Sequence, residues 1–114
     1  MAKRIQRVNA LIKEEISQII LKEIEFSPGV LVTVTRAETT DDLRDSNVFI
    51  SVLPDKDLSK IVDFLNRRAG FLQSKINKVL RMKPIPRLKF VQERETAEAG
   101  RIEELLEQLK KESK

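Results

Sequence analysis

The chain has 114 residues, 35% of them charged, and a formal net charge of +4. This length fits one domain. The absence of cysteine excludes disulfide bonds and thiolate metal sites. With histidine also absent, an enzyme is disfavoured, and no catalytic, cofactor or metal site is expected. No apolar run approaches the ~20 residues of a membrane span.

The first third of the chain predicts one helix. Its apolar residues recur at steps of three and four, which is typical of an amphipathic helix. They are Ile5, Val8, Leu11, Ile12, Ile16, Ile19 and Ile20. The predicted stop is Ser27-Pro28-Gly29, because proline disfavours a helical residue before it and glycine permits a turn.

Two strands are predicted next. Residues 30–35 (VLVTVT) are β-branched and alternating, which favours a strand. A polar link covers residues 36–46, and residues 47–53 form a second strand that is apolar on both faces. That pattern predicts a strand that is central in the sheet or covered on both sides. The simplest pairing is an antiparallel hairpin with a long loop.

The second half predicts two helices and a strand. Asp55 or Asp57 can cap the first helix, whose buried face is Leu58, Ile61, Val62 and Leu65. A break at Ala69-Gly70 is favoured, because glycine inside a helix costs about 1 kcal/mol relative to alanine. The stripe resumes at residues 72–80, and the prolines at 84 and 86 precede a third strand at 88–92.

This order predicts an α+β fold, helix-strand-strand-helix-break-helix-strand, with the helices on one face of a three-stranded sheet. We predict that residues 1–92 form one domain. Residues 93–114 are expected to form a tail that is partly helical and flexible. Its short C-terminal helix is marked by Ile102, Leu105, Leu106 and Leu109.

The positive charge is concentrated in residues 67–90, which hold eight basic residues and no acidic one. Acidic residues outnumber basic ones in the rest of the chain, so this segment favours a polyanionic partner. Two arginines of the first helix can join the surface if that helix packs nearby. The predicted RNA-binding residues are Arg4, Arg7, Arg67, Arg68, Lys75, Lys78, Arg81, Lys83, Arg87 and Lys89.

The break with its basic flanks resembles a KH domain, in which a glycine-containing turn between two helices faces nucleic acid. Residues 1–92 are therefore predicted to form a KH-like RNA-binding domain. Ordinary KH domains carry a GXXG turn that clamps a short single strand. This chain has only Gly29, Gly70 and Gly100, so it has no GXXG and that clamping is not supported. Phe49, Phe64 and Phe90 are predicted to be core residues, which leaves little for base stacking.

Several segments, in their order and spacing, resemble the ribosome-binding factor A family of bacterial 30S maturation factors. The resemblance covers residues 3–106. The segments are RIQRV at 4–8, ISQII at 16–20, VLVTVTRAETTDDL at 30–43, VFISVLPD at 48–55, AGFLQSKI at 69–76 and LRMKPIPRLKF at 80–90. The family usually has Ala-x-Gly at the break, whereas this chain has Arg68-Ala69-Gly70. Glu93 stands near a family aspartate, and no role is transferred to it.

The resemblance implies a monomeric, cytoplasmic, non-catalytic assembly factor that binds the free 30S subunit and 16S ribosomal RNA. It also implies help in late maturation, including 5′-end processing of that RNA, and a link to growth at low temperature. Neither a membrane nor a small-molecule substrate is implied. Two alternatives stay open: a generic KH-like RNA- or DNA-binding module, and a homodimeric interaction protein whose basic face is only solvated. The acids at positions 41, 42 and 45 are expected to form a solvated loop, because their spacing lacks the EF-hand pattern.

Overall fold

The computed structural model describes residues 2–93, and their elements follow the predicted α+β order. They are α1 (Ala2–Glu23), β1 (Leu31–Thr39), β2 (Asp45–Leu53), a 3-10 turn (Asp55–Asp57), α2 (Leu58–Arg67), α3 (Ala69–Val79) and β3 (Arg87–Gln92). The predicted tail helix lies outside the described residues. None of the helices in this described part combines the length and apolar character needed to cross a membrane.

The sheet of the described residues has the order β1-β2-β3, so β2 is the central strand. β1 runs antiparallel to β2, with Leu31 opposite Leu53 and Thr39 opposite Ser46. β3 runs parallel to β2, beginning where Arg87 lies beside Asp45. A parallel neighbour requires a crossover, and α2 and α3 supply it.

The helices pack on one face of the sheet, where they form a single core. α1 contributes Val8, Ile12, Ile16 and Ile20, and α3 contributes Leu72 and Ile76, while β2 supplies Val48, Ile50 and Val52. The opposite face of β2 is open, since Asn47 and Leu53 are exposed and Phe49 is half-buried. Of the two options for β2, the central position is therefore correct, and among the described residues the helices cover only one face.

Glu93 joins the end of β3 to the rest of the sheet. Its amide donates to the carbonyl of Ile50 at 2.8 Å. Its buried carboxylate accepts hydrogen bonds from the Thr35 hydroxyl and the Arg36 Nε, both at 2.8 Å. A buried carboxylate needs such partners, because an uncompensated charge is costly in the interior. Glu93 is therefore a structural contact between β3 and β1.

Helix α1 ends four residues before the predicted stop. Glu23 is its last residue, although the Ile24 amide still donates to the Ile20 carbonyl at 3.0 Å. The chain then leaves the helix axis, and Phe26 packs against the core. The predicted turn does form beyond it, because Gly29 adopts a positive φ of 83° and the Val30 amide donates to Ser27.

The hairpin loop is shorter than predicted. β1 continues through Thr39, so that residues 40–44 alone connect it to β2. The sequence of residues 36–39 is polar, but Ala37 and Thr39 are buried while Glu38 is exposed. A register shift at Thr35 precedes this stretch. A bulge of this kind changes the alternation that the sequence pattern relies on, which explains the error.

The predicted position of the break, Ala69-Gly70, is wrong, because the break between α2 and α3 falls at Arg68. Arg68 alone separates the two helices, with φ −99° and ψ 12°, and its amide donates to the carbonyls of Phe64 and Leu65. Ala69 and Gly70 are the first residues of α3. Asp57 occupies the N-cap position of α2, as predicted, but its side chain makes no capping hydrogen bond.

Candidate nucleic-acid interface

Two side-chain amides fix the basic helical unit to the edge of β3 that β2 does not pair. The Asn66 amide donates to the Phe90 carbonyl at 2.8 Å and accepts from the Phe90 N–H at 2.9 Å. Gln73 accepts from the Leu88 N–H at 2.9 Å and donates to the Pro86 carbonyl at 3.1 Å. These amides replace a neighbouring strand, because buried backbone groups require partners. The position of α2 and α3 relative to β3 is therefore fixed.

Helix α3 presents two different flanks beside its buried stripe of Leu72 and Ile76. Successive helical residues are about 100° apart, so Phe71 and Gln73 lie roughly 160° from one another around the axis. Lys75 follows Phe71 by one turn, and Asn77 follows Gln73 by one turn. The predicted basic cluster is therefore divided between two flanks of α3.

The first flank, here called the break surface, consists of Arg67, Arg68, Phe71 and Lys75. Both arginines are exposed. The Arg68 guanidinium carbon lies 5.1 Å from the centre of the Phe71 ring. Lys75 Nζ lies 5.4 Å from the same ring and 3.6 Å from a carboxylate oxygen of Glu23 on α1. This flank therefore combines positive charge with an aromatic ring.

The second flank faces the chain that leads into β3. An open groove of about 510 Å³, here called the β3 groove, lies between α3 and residues 83–87. Its lining residues are Gln73, Asn77, Lys83, Pro84, Ile85 and Arg87. Gln73 already uses its amide in hydrogen bonds to β3 and to Asn77. Lys83 and Arg87, together with the amide nitrogen of Asn77, can hold the phosphates of a nucleic-acid backbone by charge and hydrogen bonding.

The remaining predicted residues are spread more widely. Lys78 and Arg81 are exposed in the last turn of α3 and just after it. Lys89 alternates with the buried Leu88 and Phe90, so it lies on the open face of the sheet. Arg4 and Arg7 are exposed in the first turns of α1.

The arginines of α1 lie far from the break surface along their own helix. Asn9 Oδ1 accepts a hydrogen bond from the Thr39 amide at 2.9 Å, which places this end of α1 beside the end of β1. Glu23, the partner of Lys75, follows Arg7 by sixteen residues, or about 24 Å of helix. Arg4 and Arg7 therefore do not join the break surface.

Two of the three phenylalanines predicted for the core pack there. Phe90 is buried, and Phe64 is half-buried against the core. Phe49 instead lies on the open face of the sheet, where the Arg36 guanidinium carbon is 3.9 Å from its ring centre. The prediction failed for Phe49 because a two-sided apolar strand does not reveal which face the helices cover.

Three residues of the interface were missed from the sequence: Phe71, Gln73 and Asn77. A signal for Phe71 existed, because it precedes Leu72 and falls outside the buried stripe that continues to Ile76. Asn66 and Gln73 lie on either side of the helix break, so their spacing gives no signal, and only the position of β3 shows what their amides bind.

The acidic loop is organised by local hydrogen bonds. The Asp42 carboxylate accepts from the Thr40 hydroxyl at 2.6 Å and from the Arg44 amide at 3.1 Å. These bonds, the hydroxyl's first, hold the pKa of Asp42 below its ordinary value of 3.8. Within residues 2–93, no group of three or more acidic side chains could hold a metal ion.

Comparison with known proteins supports one family. A sequence model described as ribosome-binding factor A matches residues 4–106. The ribosome-binding factor A of Thermodesulfovibrio yellowstonii is 42% identical over 111 residues, 97% of this chain and 94% of the relative. That of Desulfitobacterium hafniense is 38% identical over 114 residues, 98% of this chain and 91% of the relative.

Two solved structures share the fold. The crystal structure of ribosome-binding factor A from Thermus thermophilus gives a TM-score of 0.64 at 21% identity, covering 75% of this chain and 91% of that one. A homology model of the Thermus factor, fitted into a cryo-electron-microscopy map of a 30S complex, gives a TM-score of 0.62 at 22% identity, covering 75% of this chain and 90% of that one. With a near full-length match at 42% identity, this chain belongs to the ribosome-binding factor A family.

Proposed function

We propose that this chain binds the free 30S ribosomal subunit, contacts its 16S ribosomal RNA, and assists late maturation without catalysing a reaction. The Thermus relative forms a 30S complex, which supports the same partner here. The observation that carries the proposal is the exposed basic charge on both flanks of α3, in a segment that contains no acid. The partner such a surface favours is a polyanion.

The mechanism is selection of one RNA conformation. A bound protein can shift a folding equilibrium only when it binds one state more tightly than the others. Rigid docking of α2 and α3 on β3 gives the two basic flanks a fixed spacing, and a fixed spacing discriminates between RNA shapes. The assisted steps would include 5′-end processing of 16S RNA and matter most during growth at low temperature. The protein would act as a cytoplasmic monomer.

Sedimentation with purified 30S, 50S and 70S particles tests the proposal. We expect association with 30S alone, weakening as salt rises, because cations that neutralise phosphates release counterions. Equal binding to all three particles would instead indicate a generic nucleic-acid module. No association would indicate an interaction protein with a solvated basic face.

A charge-reversal variant identifies the surface. Changing Arg67, Arg68, Arg81 and Lys83 to glutamate should abolish 30S binding with little change in melting temperature, because all four side chains are exposed. The matched control changes exposed lysines outside this segment, namely Lys13, Lys22, Lys56 and Lys60, and removes the same number of charges. Intact binding by the first variant, or equal loss in both, would remove the α3 flanks from the mechanism.

A further inference from the structure

The Arg68 guanidinium lies near two aromatic rings. Its guanidinium carbon lies 5.1 Å from the centre of the Phe71 ring and 5.9 Å from that of Phe64. Contacts of this kind between a guanidinium and a ring face are favourable even at exposed sites. They also restrict a long side chain that would otherwise sample many rotamers, so that less entropy is lost when Arg68 binds a ligand.

Phe71 provides a ring at the surface beside this arginine. All five phenylalanines lie within the described residues, and Phe71 alone belongs to the exposed large hydrophobics, at 36%. Lys75 lies near its ring one turn further along α3, and Glu23 holds that lysine in place. One positively charged side chain, Arg68, therefore lies near the ring from the preceding turn, and another, Lys75, from the following turn.

The surface next to this ring is open. Gly70 is exposed, and a Cβ added to it would meet no atom within 4 Å. Gly70 therefore adds no bulk beside Phe71, its neighbour in the chain. Arg68 and Phe71 are themselves exposed, so a flat ligand can reach the guanidinium and the ring from solvent.

We propose that Arg68 and Phe71 form a stacking site for one unpaired nucleotide of the bound RNA. Unpaired bases stack on aromatic rings and on guanidinium planes, and base-paired ones do not expose their faces. The charges of Arg67 and Lys75, which belong to the same break surface, would attract the phosphates on either side of that nucleotide. This inference rests on the proposed RNA-binding function and adds an unpaired base to what is recognised.

The site holds a single nucleotide and reads no particular sequence. A platform for several bases needs several exposed rings, and this surface has one. Stacking tolerates every base, since each has a π face. The expected preference is therefore for RNA that offers an unpaired base beside a folded region, over duplex RNA of the same length.

A tryptophan reporter tests the stacking directly. The chain has no tryptophan, so Phe71→Trp introduces a single indole at the site. Titration with oligoadenylate should quench its fluorescence, whereas a duplex of equal length should leave it unchanged. Phe49→Trp is the matched control, because Phe49 also lies beside an arginine but on the open face of the sheet. Equal responses of the two reporters, or equal quenching by duplex, would overturn the inference.

A pair of neighbouring arginines provides the second test. Arg67→Lys and Arg68→Lys both retain charge, and of these two arginines it is Arg68 that lies over aromatic rings. A lysine lacks the planar group that stacks. Arg68→Lys should weaken oligoadenylate and 30S binding about tenfold without changing the salt dependence, as loss of one stacked base predicts. Arg67→Lys should change both affinities less than twofold.

The outcomes separate this inference from the proposed function. If 30S binding is selective but the Phe71 reporter is silent and the two lysine variants are equal, the stacking site is wrong and the function stands. If 30S does not bind, the function fails, and quenching by oligoadenylate alone still decides whether the site exists. Phe71→Leu, which keeps an apolar side chain, should lose the preference for single strands.

Discussion

At the scale of single residues, Asn66 has the clearest structural role outside the core. Its amide makes both a donor and an acceptor bond to Phe90. Asn66→Ala should lower the free energy of unfolding by about 1–2 kcal/mol, because two backbone groups lose their partners. Urea denaturation measures the loss. Asn47→Ala, an exposed change on the open face, is the control, and an equal loss in both variants would contradict the role.

The lowered pKa of Asp42 predicts that the stability of the fold depends on pH. Hydrogen bonds hold its pKa below 3.8 in the folded chain, so its ionised form stabilises the fold above that pH. As pH falls through the lowered pKa, this contribution is lost. Asp42→Asn should therefore melt at a lower temperature than the parent at pH 7, and the difference should shrink by pH 3. Melting curves at pH 7 and pH 3 provide the measurement. A difference in melting temperature that grows on acidification would show that the ionised form of Asp42 does not stabilise the fold.

At the scale of elements, replacing glycine by alanine should have opposite effects on the stability of the fold at two glycines of the described chain. Gly70 lies in the first turn of α3 with open space around it, so Gly70→Ala should stabilise the fold by about 0.5 kcal/mol. Gly29 has a φ of 83°, so Gly29→Ala should destabilise by about 1 kcal/mol. Thermal unfolding of both variants checks the signs. Destabilisation by Gly70→Ala would show that the helix junction itself needs glycine.

The sequence predicted elements well where one period dominated. The apolar residues from Val8 to Ile20 recur with a helical period and correctly predicted α1, and similar apolar patterns predicted the order of the elements. The prediction failed for Arg36 to Thr39 of β1, where most of the residues that alternate between the two faces of the sheet are polar. The parallel pairing of β3 with β2 was not predicted, because it depends on the path of the helices between them.

The sequence predicted which segment of the chain holds the positive charge of the candidate site, but not how its charged side chains are arranged in space. Composition identified the segment from 67 to 90, but it could not show that α3 divides these charges between two flanks. That division follows from the buried stripe of Leu72 and Ile76 together with the hydrogen bonds of Gln73 to β3. Arg68 illustrates the limit, since its departure from the family pattern acquires a meaning only beside Phe64 and Phe71.

At the scale of the whole molecule, the break surface and the β3 groove are two contacts held apart by one rigid helix. Gln73 is the groove residue nearest to the break along α3, and five residues, about 7.5 Å of helix, separate it from Arg68. The two surfaces also lie on opposite flanks of that helix. An RNA that touched both would have to cross the exposed side of α3, so both its shape and its charge would contribute to binding.

This arrangement predicts additive binding energies. Arg67→Glu with Arg68→Glu removes the charge of the break surface, and Lys83→Glu with Arg87→Glu removes that of the groove. Groups without shared partners usually act independently, so the quadruple variant should lose the sum of the two losses in 30S binding free energy, within about 0.5 kcal/mol. Each pair should also lower the salt slope by about two, one unit for each phosphate contact. A quadruple variant that loses no more than one of the pairs would show that both surfaces serve a single contact, which the rigid spacing of α3 does not permit.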